Sequence, residues 1–132
     1  MSIFDFFRRK RKVNQDIPDT GIAIDQAQWT GKDFDFLIKG DIEISPDMYD
    51  KIMTPDSFEW IKIVKDDWTY YQVGQDEYSY SWEIPGIQMT FNESIPFHKA
   101  KQIANQVVEK IRATGQDAQL VILDKLKIQS FD

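Results

Sequence analysis

Hydrophobic and polar positions alternate most regularly between residues 58 and 91, a stretch that holds nine of the eighteen aromatic residues. The inward positions of its clearest alternation are Tyr78, Tyr80, Trp82 and Ile84. A period of two residues is typical of a strand with one buried face. The pattern predicts four short strands joined by tight turns, a central meander over residues 58–91.

A helical period replaces this alternation toward the C-terminus. From Ala100 to Ile111, apolar residues recur at i, i+3, i+4, i+7, i+8 and i+11, which is the stripe of a helix that packs on a sheet. Pro96 marks its start, and Gly115 supplies the expected left-handed terminator. The spacing predicts one long C-terminal helix over about residues 96–114.

A second, shorter helix is predicted near residues 46–53. Ser45 is a favourable cap, and Pro46 is favourable at the first helical position. Met48, Ile52 and Tyr49 are expected on its buried side. Pro55 ends it within two turns.

Further strands flank these elements. Phe34, Phe36 and Ile38 alternate with Asp33 and Asp35, and residues 42–44 resemble another short strand. Residues 118–123 form an apolar run without alternation, which predicts a buried strand in the sheet interior, in one possibility parallel to a meander strand. The fold class is therefore α+β, a mostly antiparallel twisted sheet of five to seven strands with the long helix on one face.

Length and composition divide the chain into three parts. Residues 1–12 are a basic and aromatic segment, residues 13–20 are a polar linker, and residues 21–132 have the length of a single α+β domain. At 42% hydrophobic, the chain has enough apolar surface for a packed core.

The charge is unevenly distributed. The formal net charge is −6, although residues 1–12 hold five basic residues and one acid. The rest of the chain therefore carries −10. An acidic body of this kind argues against nucleic acid as a partner, because phosphate binding requires clustered lysine and arginine.

The chain contains no cysteine. Thiol catalysis, disulfides and cysteine-based metal sites are thereby excluded, and a reducing, cytoplasmic location is favoured. No apolar run approaches the roughly 20 residues that span a bilayer. The N-terminus lacks the order of a secretory signal, because its basic cluster follows a short apolar stretch.

The first twelve residues allow weak contact with a membrane surface. Phe4, Phe6 and Phe7 precede the basic run Arg8–Lys12, and aromatic anchors beside basic charge bind anionic lipid surfaces. The alternative is a segment whose phenylalanines dock on the body while the basic run is solvated.

Acidic side chains provide the first candidate site. The predicted acidic face consists of Asp33, Asp35, Asp41, Glu43, Asp47 and Asp50. Paired carboxylates of this kind bind divalent cations, share acid–base work, contact a basic partner, or form a solvated surface. Of these, partner binding is predicted for the acidic face, without a metal.

Aromatic side chains of the meander provide the second candidate. The predicted aromatic sheet face consists of Trp68, Tyr70, Tyr78, Tyr80 and Trp82. Most of these aromatics are expected to pack in the core. One helix cannot cover all of them, so some are expected to line a partner interface or a ligand groove.

Catalytic signatures are missing from the sequence. His98 is the only histidine, no G-x-S-x-G elbow is present, and no glycine-rich phosphate loop occurs. Basic groups around His98 could bind an anion, but a surface histidine is the simpler interpretation. No catalytic residue and no cofactor are predicted.

These features favour a small acidic protein-binding module without catalytic activity. Immunity proteins that neutralise a toxin and chaperones that hold a secretion substrate, both small bacterial cytosolic proteins, share its size and acidity. The partner would be a basic protein. The alternative is a small-ligand or lipid-binding domain with an aromatic-lined pocket between sheet and helix.

Overall fold

The structure is a computed structural model that describes residues 27–125. Within this range the chain forms an antiparallel six-stranded sheet and two main helices. The α+β prediction is confirmed. The predictions for the basic N-terminal segment and the linker lie outside the described residues.

Eight elements make up the fold, and most of them match the sequence pattern. In chain order they are β1 Phe34–Lys39, α1 Pro46–Ile52, β2 Ile61–Lys65, β3 Trp68–Val73, β4 Asp76–Glu83, β5 Gly86–Phe91, α2 Phe97–Ala113 and β6 Gln119–Asp124. Asp66 and Asp67, both at positive φ, form the two-residue turn between β2 and β3.

The strand order is β2-β3-β4-β5-β1-β6, and every neighbouring pair is antiparallel. The first four strands are the predicted meander. β1 then lies beside β5, where Phe36 is opposite Met89 and Ile38 is opposite Ile87. Apolar residues that are distant in sequence therefore form one continuous face.

The last strand differs from its prediction. β6 lies at an edge of the described sheet and runs antiparallel to β1, so an interior or parallel position is wrong. Leu120 and Ile122 pack against the core, while Leu123 is buried on the other face. An apolar run without alternation can arise at an edge when both faces are partly covered.

The core lies between α2 and one face of the sheet, here called the helix face. The stripe predicted from Ala100 to Ile111 is fully buried there. Phe97 at the start of α2 contacts Phe34 and Phe36, with ring centroids 5.1 and 5.9 Å apart. These edge-on and tilted contacts position the helix on the sheet.

The chain between β1 and α1 contains no strand, contrary to the expectation for residues 42–44. The Glu43 N–H donates to the Gln116 side-chain oxygen over 2.7 Å, and the Gln116 amide donates to the Glu43 carbonyl over 2.8 Å. This side chain satisfies backbone groups that a neighbouring strand would otherwise bond.

α1 also departs from its prediction in two details. Ser45 occupies the cap position but makes no side-chain cap bond. Ile52 is buried as expected, whereas Met48 is 40% exposed. The exposed side of α1 is therefore more apolar than predicted.

Candidate functional site

The register of the meander distributes the predicted aromatic residues over both faces of the sheet. Tyr71 lies opposite Tyr78, and Tyr78 lies opposite Phe91, so all three side chains share the helix face. Trp68 and Tyr70 have the other parity and lie on the opposite face. The five predicted aromatics therefore do not form one surface.

Tyr78 and Tyr80 belong to the core. They are 1% and 8% exposed, and their hydroxyls donate to the Met53 carbonyl over 2.9 and 2.8 Å. Burial raises the pKa of both hydroxyls. Because they remain neutral donors bound inside the protein, their role is to hold the end of α1 against the sheet.

Trp68 and Tyr70 remain partly open on the opposite face. Trp68 is 47% exposed, and Tyr70 is half-buried under the Lys65 ammonium, which lies 4.5 Å from the ring centroid. They lie on the hairpin of β2 and β3, away from the other predicted aromatics.

Trp82 and Ile84 continue the alternation that directs Tyr78 and Tyr80 to the helix face, but they lie beyond the part of the sheet that the helices cover. Trp82 is 47% exposed and Ile84 is 99% exposed, although the alternation placed both on the buried face. The helix face is covered only as far as the packed helices reach. The last two inward positions of this alternation therefore lie on the surface.

Two hydrogen bonds connect this end of β4 to the chain around α1. The Trp82 indole N–H donates to the Tyr49 hydroxyl over 3.0 Å, and the two rings lie 6.3 Å apart. The Gly40 N–H donates to the Pro85 carbonyl, also over 3.0 Å. The turn between β4 and β5 is thereby joined to residues on both sides of the β1–α1 connection.

The joined residues form the surface that we name the hairpin-tip surface. It consists of the contacting pair Trp82 and Tyr49 and of exposed residues that lie next to the joined residues in the sequence: Asp41, Asp47, Met48, Glu83 and Ile84. Members of both predicted sites meet here, since Trp82 comes from the aromatic set and the two aspartates come from the acidic set.

The six acids of the predicted acidic face have different environments. Asp33 accepts the Thr30 N–H over 2.9 Å, and Asp50 accepts from Tyr71 and Lys62. Asp35 is buried on the opposite face of the sheet. These three carboxylates therefore have partners within the chain.

Asp35 is the most enclosed of these acids. One carboxylate oxygen accepts the Gln88 amide over 2.9 Å, and the other lies 3.4 Å from the Lys125 ammonium. Burial raises the pKa of Asp35, and Lys125 opposes this shift. Both carboxylate oxygens face groups of the same chain, so this side chain is not available to a partner.

Asp41, Glu43 and Asp47 are exposed, as is Glu83. None of these four carboxylates takes part in an ion pair with another described residue. Six other acids of residues 27–125 are paired with lysine or arginine. Asp47 and Glu83, which directly precede the exposed Met48 and Ile84 in the sequence, are thus acids without an ion pair among the described residues.

Other kinds of site find little support in the described part of the chain. No group of three histidine, aspartate or glutamate side chains converges there in a way that could hold a metal ion. No helix between residues 27 and 125 has the length and hydropathy needed to cross a bilayer. His98 is exposed near the start of α2.

Sequence reasoning missed four members of the hairpin-tip surface, namely Met48, Tyr49, Glu83 and Ile84. Met48 and Tyr49 were assigned to the core side of α1, and Ile84 to the core side of β4. One signal was present: an apolar residue directly before Pro85-Gly86 lies in a turn, and turns lie on protein surfaces.

Comparison with protein-family models, with curated proteins and with solved structures gives no match for this chain. The geometry of the described residues is therefore the basis for any functional assignment.

Proposed function

We propose that the protein is a non-catalytic protein-binding module that engages a basic partner through the hairpin-tip surface. The observation that carries this proposal is the hydrogen bond from Trp82 to Tyr49, because it joins the end of β4 to α1, and each of these segments carries an exposed apolar residue and an acid without an ion pair. A reducing cytoplasmic setting is part of the proposal, given the absence of cysteine.

The apolar residues suit the centre of an interface. Tryptophan, tyrosine and methionine are enriched at such centres, and a few of them carry most of the binding energy. Trp82 is held in one orientation by Tyr49 before binding. A fixed side chain loses less conformational entropy on association than a free one.

The acids suit the rim of the same interface. Asp47 and Glu83 are exposed and directly precede Met48 and Ile84 in the sequence, and Asp41 is exposed next to Gly40; none of the three forms an ion pair with another described residue. Opposite charge on a partner would speed association and reject like-charged proteins. The expected partner therefore offers an apolar pocket for Trp82 and Ile84 with lysine or arginine around it.

The first experiment identifies the partner by contact. A photo-crosslinking residue replaces Ile84 in the full chain, and His98, exposed on α2, receives the same residue as a control. Crosslinking in host cells is expected to give one defined adduct from position 84 and none of that mass from position 98. Equal labelling from both positions would contradict the assignment of the surface.

The second experiment measures affinity with the purified partner. Trp82→Ala and Ile84→Ala are each expected to raise the dissociation constant by roughly 30-fold, the effect of losing an interface hot spot. Ile61→Ala removes an equally large exposed side chain from β2 and is expected to leave affinity unchanged. Unchanged binding by both tip variants would refute the proposal.

A further inference from the structure

A second surface is provided by β2, which forms an edge of the described sheet. The strand has one neighbour, β3, and its apolar side chains are open: Ile61 is 59% exposed and Val64 is 63% exposed. Exposed apolar edge strands are templates for pairing with another strand.

The turn at Asp66-Asp67 determines which backbone groups of β2 face away from β3. Lys65 and Trp68 flank this two-residue turn, so they form a hydrogen-bonded pair. Hydrogen-bonded and non-bonded pairs alternate along an antiparallel ladder. The N–H and C=O groups of Lys62 and Val64 therefore point outward.

Lysines commonly protect an edge strand by repelling another strand. Here both lysines of β2 bind acids of their own chain: Lys62 lies 3.2 Å from Asp50, and Lys65 lies 3.2 Å from Glu77. Their charges are thus partly neutralised within one molecule. The protective effect is correspondingly reduced.

We propose that β2 pairs antiparallel with β2 of a second copy of this chain, with the two-fold axis at Ile63. Lys62 of each copy then lies opposite Val64 of the other, and Ile61 lies opposite Lys65. Lys62 and Val64 exchange both backbone bonds in each pair, giving four bonds across the interface. The two sheets become one continuous sheet through strand addition.

The sequence of β2 favours a second copy of this chain as the strand that pairs with it, because the strand is complementary to itself. In this register no lysine lies opposite a lysine, and each exposed aliphatic residue contacts a lysine stem. A two-fold axis at Lys62 would place the Lys62 side chains of the two copies opposite each other, with like charges in contact. A two-fold axis at Val64 would place Lys62 opposite Asp66 of the second copy, which lies in the turn and not in the strand.

The first test uses the full chain and measures mass against concentration by sedimentation or light scattering. The average molar mass of the wild type is expected to rise from that of a monomer toward that of a dimer as the concentration increases. Val64→Pro removes an outward N–H without breaking a bond to β3. Two of four interface bonds are then lost, which is expected to raise the dissociation constant by roughly 30-fold.

Val64→Ala is the matched control, because it shortens the side chain but keeps the N–H. Circular dichroism and thermal melts establish that each variant is folded. The proposal is overturned if the wild type stays monomeric throughout, or if a folded Val64→Pro chain dimerises as tightly as Val64→Ala.

A charge pair tests the register even if the proline variant does not fold. Val64→Lys places a lysine opposite Lys62 of the second copy at two positions and is expected to weaken the dimer. Val64→Glu places a carboxylate there and is expected to retain it, more strongly at low salt. Equal dimerisation of the two variants would overturn the register. Both changes lie outside the hairpin-tip surface, so partner binding reports on the proposed function separately.

Discussion

The hydroxyl of Tyr71 donates to the carboxylate of Asp50, although the two residues are 21 positions apart. This bond ties α1 to the meander, while Tyr78 and Tyr80 bond the carbonyl of Met53, the residue that follows α1. The bond lowers the pKa of Asp50, with a further contribution from Lys62. These bonds fix the position of α1, which contributes Asp47, Met48 and Tyr49 to the hairpin-tip surface.

Asp50 is expected to make the fold acid-sensitive. The pKa of Asp50 is lower in the folded chain than in the unfolded chain. Its contribution to the free energy of unfolding is therefore fully present above the unfolded pKa of about 3.9 and is lost as the pH falls through the folded pKa. Urea unfolding should show that the stability deficit of Asp50→Asn relative to the wild type is smaller near pH 3 than at pH 7. The difference is modest because the side chain is 42% exposed. Asp47→Asn serves as the control, and an equal loss at both pH values would contradict the assignment.

Asp35 is expected to show the opposite sign. Burial raises its pKa in the folded chain, so the native state binds a proton more readily than the unfolded state. As pH falls from neutral through the raised pKa, the wild type should gain free energy of unfolding relative to Asp35→Asn. A wild type that loses stability relative to this variant over the same range would show that the ion pair with Lys125 dominates.

Tyr78 and Tyr80 are expected to be coupled through their shared acceptor. Tyr78→Phe or Tyr80→Phe alone leaves the Met53 carbonyl with one bond and should cost about 1 kcal/mol. The double variant leaves that carbonyl without either donor and should cost more than the sum of the two. Denaturant unfolding of all four chains gives the interaction energy, and strict additivity would contradict this coupling.

Gly86 is expected to tolerate no side chain. A Cβ at this position would lie 2.2 Å from the Ile38 carbonyl oxygen and 3.0 Å from the Lys39 Cα, because β5 approaches β1 closely there. Gly86→Ala should destabilise the fold by about 1–3 kcal/mol through overpacking. Gly74→Asn is the control, since asparagine tolerates the positive φ of 63° at that turn. Similar losses in both variants would argue against a specific contact.

The acids of the hairpin tip are expected to act on association kinetics. Reversing Asp47 and Glu83 to lysine should slow binding of the partner about tenfold at low salt, with little effect at high salt. Stopped-flow association measured at two ionic strengths provides the test. Reversal of Glu59 and Glu93, which are exposed and lie outside the hairpin-tip surface, changes the net charge equally and should have a smaller effect. Equal slowing by both double variants would indicate a net-charge effect.

Local periodicity was sufficient to predict most of the fold. The apolar stripe of α2 and the alternation of β3, β4 and β5 each follow from the geometry of a single element, so a short window contains the whole signal. The position of β6 in the sheet could not be predicted in this way. An apolar run indicates that a strand is buried, but it does not indicate which strand lies beside it.

The candidate site was predicted only in fragments. Trp82, Asp47 and Asp41, which were predicted in two separate sets, are exposed, whereas Asp35 is buried and Tyr80 is part of the core. Their different environments depend on strand register and on where α1 lies. Neither property can be read from the alternation of one strand.

The sequence by itself determined the elements, their polarity and the excess of acidic charge, since these depend on nearest neighbours along the chain. Only the tertiary structure decided that the inward alternation of β4 ends at the surface and that Tyr49 bonds Trp82 there. The reason is physical: a side chain is buried only where another element covers it. The extent of that cover depends on how α1 and α2 pack on the assembled sheet.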